Sequence, residues 1–321
     1  MRSHRRTGLA PLLTALLVPT LVTGCGGADA DADGRPHIVA TIGMITDAAE
    51  RIGGDRVRVT GLMGPGIDPH LYKASAGDVR TLSSADLILY NGLHLEAAMA
   101  DLLRQMDGRT MTRAVTDPIP REELLRPPEF EGAFDPHVWF DVRLWVYAVE
   151  AVGEALAGID PEGEEEFRAR VTEYRDELLA LDDWVRAEVE RVPPERRVLV
   201  TAHDAFNYFG RAYDFEVVGL QGLTTVAEAG TGDVQRVTGI VVDRRIPAIF
   251  VETSVPHRNI EAVRAAARAR GFPVELGGTL FSDAMGDPGT DEGTYPGMVR
   301  HNVRTIVEAL SREVPPGTGT P

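Results

Sequence analysis

Between residues 161 and 192 apolar side chains recur at Phe167, Val171, Tyr174, Leu178, Leu181, Val185, Val189 and Val192, with glutamate, arginine and aspartate between them. Intervals of three and four match one face of an α-helix. Glycine is absent after Gly163 and proline until Pro193-Pro194. The spacing therefore predicts one amphipathic helix of about 30 residues, roughly 45 Å long at about 1.5 Å per residue. On either side the pattern changes to short β-rich runs alternating with helical stretches. Before the long helix the runs lie at 37–42, 56–62 and 86–90, with helices at 46–52, 76–82 and 94–105. After it they lie at 197–201, 215–219, 248–252 and 272–276, with helices from about 204 and at 233–244, 258–270 and 297–311.

Strands separated by helices pair in parallel through right-handed crossovers. The expected fold class is α/β: two lobes with mainly parallel sheets, joined by one long rigid α-helix. The divisions are a first lobe at 37–160, the linking helix at 161–192 and a second lobe at 193–313. A coiled-coil dimer is the alternative use of the helix, but about four heptads with mixed core residues favour the linking role, and a monomer. Ligand sites in such sheets lie off the carboxyl ends of the strands.

The ends of the chain read differently. Three arginines in the first six residues, an apolar run over 9–22 and then Val22-Thr23-Gly24-Cys25 have the layout of a secretory signal. The apolar run falls short of the roughly 20 residues that a membrane-spanning helix needs. Its small residue before the only cysteine resembles a lipoprotein cleavage site. Residues 1–24 are then a signal peptide, and Cys25 is an acylated anchor on the outer face of the bacterial cytoplasmic membrane. Residues 25–36, rich in Gly, Ala and Asp, read as a flexible tether, and 314–321 as a disordered tail.

Charge narrows the partners. Loss of residues 1–24 removes three arginines and leaves 30 basic against 49 acidic residues, net −19. Such a field repels nucleic acid and favours cations as ligands. With the single cysteine used as an anchor, a metal site has to be built from nitrogen and oxygen.

Candidates for that site sit where strands give way to helices. Asp68-Pro69-His70 and Asp135-Pro136-His137 share an opening in which proline fixes its own φ and biases the residue before it toward extended backbone. His203 follows the predicted strand at 197–201, and Asp283 follows the Gly277-Gly278 pair, read as a turn. Four such residues suggest ligands converging on a metal. Glu252, at another strand end, is a weaker ligand candidate that also suits orienting a ligand, and Asp141 and Asp204 suit helix caps or the same orienting role. His37, His94, His257 and His301 read as surface or capping residues. Neither G-x-S-x-G nor H-E-x-x-H occurs, which leaves hydrolysis at His203 as the weaker reading.

Taken together, Asp68-Pro69-His70, Asn91-Gly92-Leu93-His94-Leu95-Glu96, residues 135–141, residues 201–209 and residues 278–302 resemble the metal-specific solute-binding proteins of bacterial ABC importers for zinc and manganese, the cluster A-I, TroA-like group. The resemblance spans nearly the whole mature chain. It implies His70, His137, His203 and Asp283 as metal ligands, two from each lobe, a stiff linking helix with small closing motions, and an ABC permease with its ATPase as partners. It implies Zn²⁺ or Mn²⁺ as transported cargo and no enzymatic activity. Two departures blur the metal preference: residues 113–134 contain no histidine, unlike the histidine-rich loop of many zinc-specific members, and His203 stands where many manganese-preferring members have Glu. Three imidazoles and a carboxylate suit Zn²⁺, and bidentate binding by Asp283 would also accommodate Mn²⁺. Binding is expected to weaken below about pH 6.5, where imidazole protonates. The competing readings are a metal-dependent hydrolase using the same cluster, a haem or siderophore binder on a similar scaffold, and an adhesin-like structural lipoprotein.

Overall fold

The computed structural model describes residues 34–128 and 132–312. The signal peptide, Cys25, nearly all of the tether and the tail lie outside these residues. In the first half β1 (His37–Ala40), β2 (Arg58–Gly61), β3 (Leu87–Tyr90) and β4 (Met111–Ala114) form one parallel sheet in the order β2-β1-β3-β4. Around it lie α1 (Gly43–Gly53), α2 (Ala76–Ser83) and α3 (Ala100–Asp107). In the second half β5 (Val198–His203) pairs in parallel with β6 (Glu216–Gln221), and β7 (Ala248–Glu252) with β8 (Glu275–Leu280). Strands β5 and β7 lie side by side, so the arrangement β6-β5-β7-β8 repeats the order of the first half. Its helices are α6 (Asn207–Tyr213), α7 (Thr231–Asp243), α8 (Arg258–Ala269) and α9 (Tyr295–Ser311). In each half the strand order reverses beside the first strand, and the carboxyl ends there open a crevice.

The halves are spanned by α5 (Glu164–Val189), which packs against α1 on one side and α6 and α9 on the other, and α4 (Val142–Ile159) lies along it. The long helix is 26 residues, shorter than the spacing predicts, because Pro161–Gly163 forms a separate 3-10 turn and the backbone turns again after Val189. Three glutamates in the first turn of α5 complement its dipole. The buried stripe Phe167, Tyr174, Leu178, Leu181, Val185 and Val189 is the predicted one. The expected elements include neither α4 nor β4. Helix α4 nevertheless buries nine of its 18 residues, most of them at intervals of three and four, on a face that packs against α1, α5 and β3. Gly153 lets α4 and α5 approach: a Cβ there would lie 2.4 Å from Val171 Cγ2.

Two further predicted elements differ. Residues 94–96 are not helical, and Ala97–Met99 form only a 3-10 turn. The fully buried Glu96 carboxylate accepts the Thr41 hydroxyl and the Asn91 and Gly92 N–H groups, which folds the segment into a turn with Leu93 and His94 at positive φ. Helix α3 begins only at Ala100. The strand predicted at 272–276 lies instead at Glu275–Leu280, and the Gly277-Gly278 pair sits inside it at a bulge rather than in a turn. A Cβ on Gly277 would meet the Phe250 ring at 2.5 Å, so close packing between β8 and β7 is what requires glycine.

Asp182 on α5 binds three elements together. Although fully buried, its carboxylate accepts Arg143 Nε from α4 (2.6 Å), Arg186 from α5 (2.9 and 3.1 Å) and the Tyr213 hydroxyl from α6 (3.0 Å). Burial alone would raise its pKa, but hydrogen bonds from Arg186, Arg143 and Tyr213 hold it below the usual carboxylate range. Because both arginines are about half exposed, the ion-pair part is discounted for solvent screening. Asp182→Ala is expected to cost about 2 kcal/mol, chiefly by leaving the buried Tyr213 hydroxyl without its acceptor. Urea unfolding of the metal-free protein measures it, and a wild-type midpoint would remove Asp182 from the set of stabilising contacts.

Candidate metal centre

Each of the four predicted ligands stands at the end of an element of the crevice. His70 lies in the loop after β2, His137 in the loop leading into α4, His203 is the last residue of β5, and Asp283 follows β8 by three residues. All four are buried, with at most 2% of their surface exposed. One ligand atom from each lies within 4.8 Å of the others, and no second such cluster occurs among the described residues. Individual separations are tighter. His70 Nε2 is 3.3 Å from His137 Nε2, His137 Nε2 is 3.4 Å from Asp283 Oδ1, and His203 Nε2 is 3.3 Å from Asp283 Oδ2. Donors about 2.05 Å from a tetrahedral zinc ion are separated by roughly 3.3 Å. Three of the edges already have that length.

Local backbone chemistry places the rings. In each Asp-Pro-His triplet the aspartate accepts the N–H of the histidine two residues on, at 2.9 Å for Asp68 and 3.0 Å for Asp135. This is an Asx-type turn, and proline between the two residues stiffens it. Asp135 Oδ1 also accepts the His137 ring Nδ1–H at 2.7 Å. Glu252 does the same for His203, accepting its backbone N–H at 3.0 Å and its Nδ1–H at 2.6 Å. Carboxylates on Nδ1 set the tautomer that leaves Nε2 with a free lone pair and make that lone pair more basic.

Among the orienting candidates only Glu252 fills that role. Asp141 caps α4 by accepting the Arg143 and Leu144 N–H groups and pairs with Arg211. Asp204 accepts the N–H of Gly219 on β6. Their oxygens are used on backbone and arginine, and their carboxylates do not contact a ligand histidine. The spacing argument missed Asp135 and Asp68, although an aspartate two residues before a histidine is the signal for an Asx turn. It also missed Asn91, whose amide donates to the carbonyl of Pro136 at 3.0 Å, and Trp139, whose indole N–H donates to the Ser282 carbonyl at 3.1 Å beside Asp283. His37 is buried on β1 against Ser84 and Thr60, contrary to the surface role read from its position.

Electrostatics match a cation site. Burial resists charge on His137 and His203, yet Asp135 beside His137, and Glu252 and Asp283 beside His203, raise both above the ordinary value of 6.5. Burial dominates at His70 and lowers it to about 3. Asp283 is held well below its usual range because His203 and His137 outweigh its burial. His203 Nε2 and Asp283 Oδ1 are buried without a hydrogen-bond partner. Buried polar atoms are normally paired, so two inward-facing orphans signal a missing positive centre.

Comparison with known proteins agrees in extent. The chain matches the family described as ZnuA, "Zinc-uptake complex component A periplasmic", over residues 38–309. It is 55% identical to the zinc-binding protein TroA of Treponema pallidum over 287 residues, 89% of this chain and 92% of that protein. It is 48% identical to the manganese-binding lipoprotein MntA of Bacillus subtilis over 93% of this chain and 98% of that one. A solved structure of the periplasmic zinc-binding TroA from Treponema pallidum superposes with a TM-score of 0.85 at 54% identity, covering 87% of this chain and all of that one.

Proposed function

The chain belongs to the ZnuA family of zinc-uptake components, and from that premise we propose that it captures Zn²⁺ or Mn²⁺ outside the cytoplasmic membrane and delivers the ion to an ABC permease and its ATPase. Its relatives, matched over 92% and 98% of their own length, carry the names of zinc-binding and manganese-binding proteins. His70, His137, His203 and Asp283 hold the ion as cargo, with the lobes at 37–160 and 193–313 each contributing two of them. Cys25, acylated after cleavage of residues 1–24, tethers a monomer to the membrane through residues 25–36. One observation supports this most: four buried donors, two of them orphaned, converge at separations suited to a single divalent ion.

The protein is a carrier rather than an enzyme. Closure around all four donors suits holding an ion more than offering it to a substrate. The cluster has the dimensions of a bare ion, too small for haem or a siderophore. Equilibrium affinity should favour Zn²⁺ over Mn²⁺ whichever is the physiological cargo. Both oxygens of Asp283 face histidines, so bidentate binding is available to the larger ion. Elemental analysis of protein isolated from its native host tests the reading. Stoichiometric zinc or manganese is expected, and protein without bound transition metal would count against it.

Proton linkage gives a second test. His137 and His203 must lose a proton before ligating, and their neighbours raise both above 6.5. Protons therefore compete at neutral pH, and affinity is expected to keep rising as pH climbs past 6.5, a higher range than free imidazole predicts. Calorimetry at pH 7 in buffers of different ionisation heat should register proton release on zinc binding. A buffer-independent heat would contradict the raised pKa values.

A further inference from the structure

The two Asp-Pro-His loops begin alike and end differently. Asp135 uses one oxygen for both the backbone and the ring of His137. Asp68 accepts only the backbone N–H of His70, and the His70 Nδ1 is buried without a hydrogen-bond partner. The other oxygen of Asp68 reaches across the crevice and accepts the hydroxyl of Thr225, in the segment after β6, at 2.5 Å. Thr225 is itself buried.

Attachment to the second half differs in the same sense. The segment at 135–140 receives the Asn207 amide and the Tyr208 hydroxyl on Asp135, donates the Trp139 indole N–H to Ser282, and receives the Tyr295 hydroxyl on the Trp139 carbonyl. Among the described residues, the one hydrogen bond from the segment at 63–69 to the second half is Asp68–Thr225. Met63 and Pro69 anchor the loop at its ends, while Ile67 and Leu71 are exposed. Four hydrogen bonds tie the His137 segment to the second half, whereas one ties the loop of His70.

We propose that Thr225 is a positioning residue for the cargo: through Asp68 it holds His70 against the ion, and release begins when this clasp opens. The inference rests on His70 being a ligand. With the clasp open, the ion keeps His137, His203 and Asp283 and gains a vacant position on the side where His70 stood. An incoming ligand from the permease can then replace His70 before the other bonds break.

Thr225→Val keeps the side-chain shape and removes the donor. Dissociation of Zn²⁺ into excess EDTA is expected to be about tenfold to a hundredfold faster than in the unaltered protein, the range for losing a hydrogen bond to a charged group. The metal-free protein should stay folded with a lowered thermal midpoint, since the clasp is present without the ion, and Thr225→Ser should restore both the midpoint and the slow rate. An unaltered dissociation rate in Thr225→Val overturns the proposal, as does a fast rate that serine fails to slow. His70→Ala, measured alongside, separates the two levels. Unchanged zinc affinity there sinks the ligand assignment itself, whereas lost affinity with slow release in Thr225→Val removes only the clasp.

Discussion

His137→Ala is expected to lower Zn²⁺ affinity by about two to three orders of magnitude while the metal-free protein keeps its fold. Four-ligand zinc sites bind with about 10–16 kcal/mol, so one ligand in four carries roughly 2.5–4 kcal/mol. His137 is chosen because its ring centroid lies 5.3 Å from those of both His70 and His203, and its Nε2 is close to both His70 and Asp283. Its removal also leaves Asp283 with one imidazole fewer to offset its burial. The fold should tolerate the change, since the bonds from Asn207 and Tyr208 to Asp135 do not involve the ring. Competition titration against a zinc indicator, with circular dichroism as the control, measures the effect. An affinity within a few-fold of the original would exclude His137 from the site.

Trp139→Ala is expected to destabilise the protein by about 3–5 kcal/mol, the usual cost of deleting a fully buried large aromatic side chain. Trp139 has no exposed surface and packs its ring 5.3 Å from His137 and 5.8 Å from Phe140. Its N–H crosses to the Ser282 carbonyl, next to Asp283, while its own carbonyl accepts the Tyr295 hydroxyl at the start of α9. The substitution thus removes packing and the link between the His137 and Asp283 segments together. Trp139→Phe keeps much of the ring and loses only the link, so a smaller cost of about 1–3 kcal/mol is expected. Guanidinium unfolding of both variants separates the two contributions. Added zinc should recover part of the loss in each, because an ion bound only by the folded state stabilises it by mass action. Equal costs for alanine and phenylalanine would show that the hydrogen bond, not the packing, dominates.

What was legible in the amino-acid order is local or repetitive. Alternation of β-rich and helical runs, read in windows of a few residues, sufficed for two α/β lobes, because strand and helix periods differ and crossovers impose parallel pairing. The stripe from Phe167 to Val189 marked the long helix for the same reason. Proline next to His70 and His137 marked stiff corners, positions after strands pointed to His203 and Asp283, and the resemblance to importer proteins joined the four into one ligand set.

Other features were decided only when distant segments met. Helix α4 buries nine of its 18 residues at intervals of three and four, but what that stripe packs against, α1, α5 and β3, is fixed only in the folded chain. Residues 94–99 spell a helix in isolation, but the Glu96 carboxylate finds three donors at Thr41, Asn91 and Gly92 and bends the backbone instead. Gly277 and Gly278 look like a turn until the Phe250 ring occupies the space beside them. The same holds at the centre. Position along the chain does not distinguish Glu252, which grips His203, from Asp204, which holds a strand N–H, since both are carboxylates near strand ends. A hydrogen bond extends about 3 Å, and only the folded chain determines which acceptor lies that close to which ring.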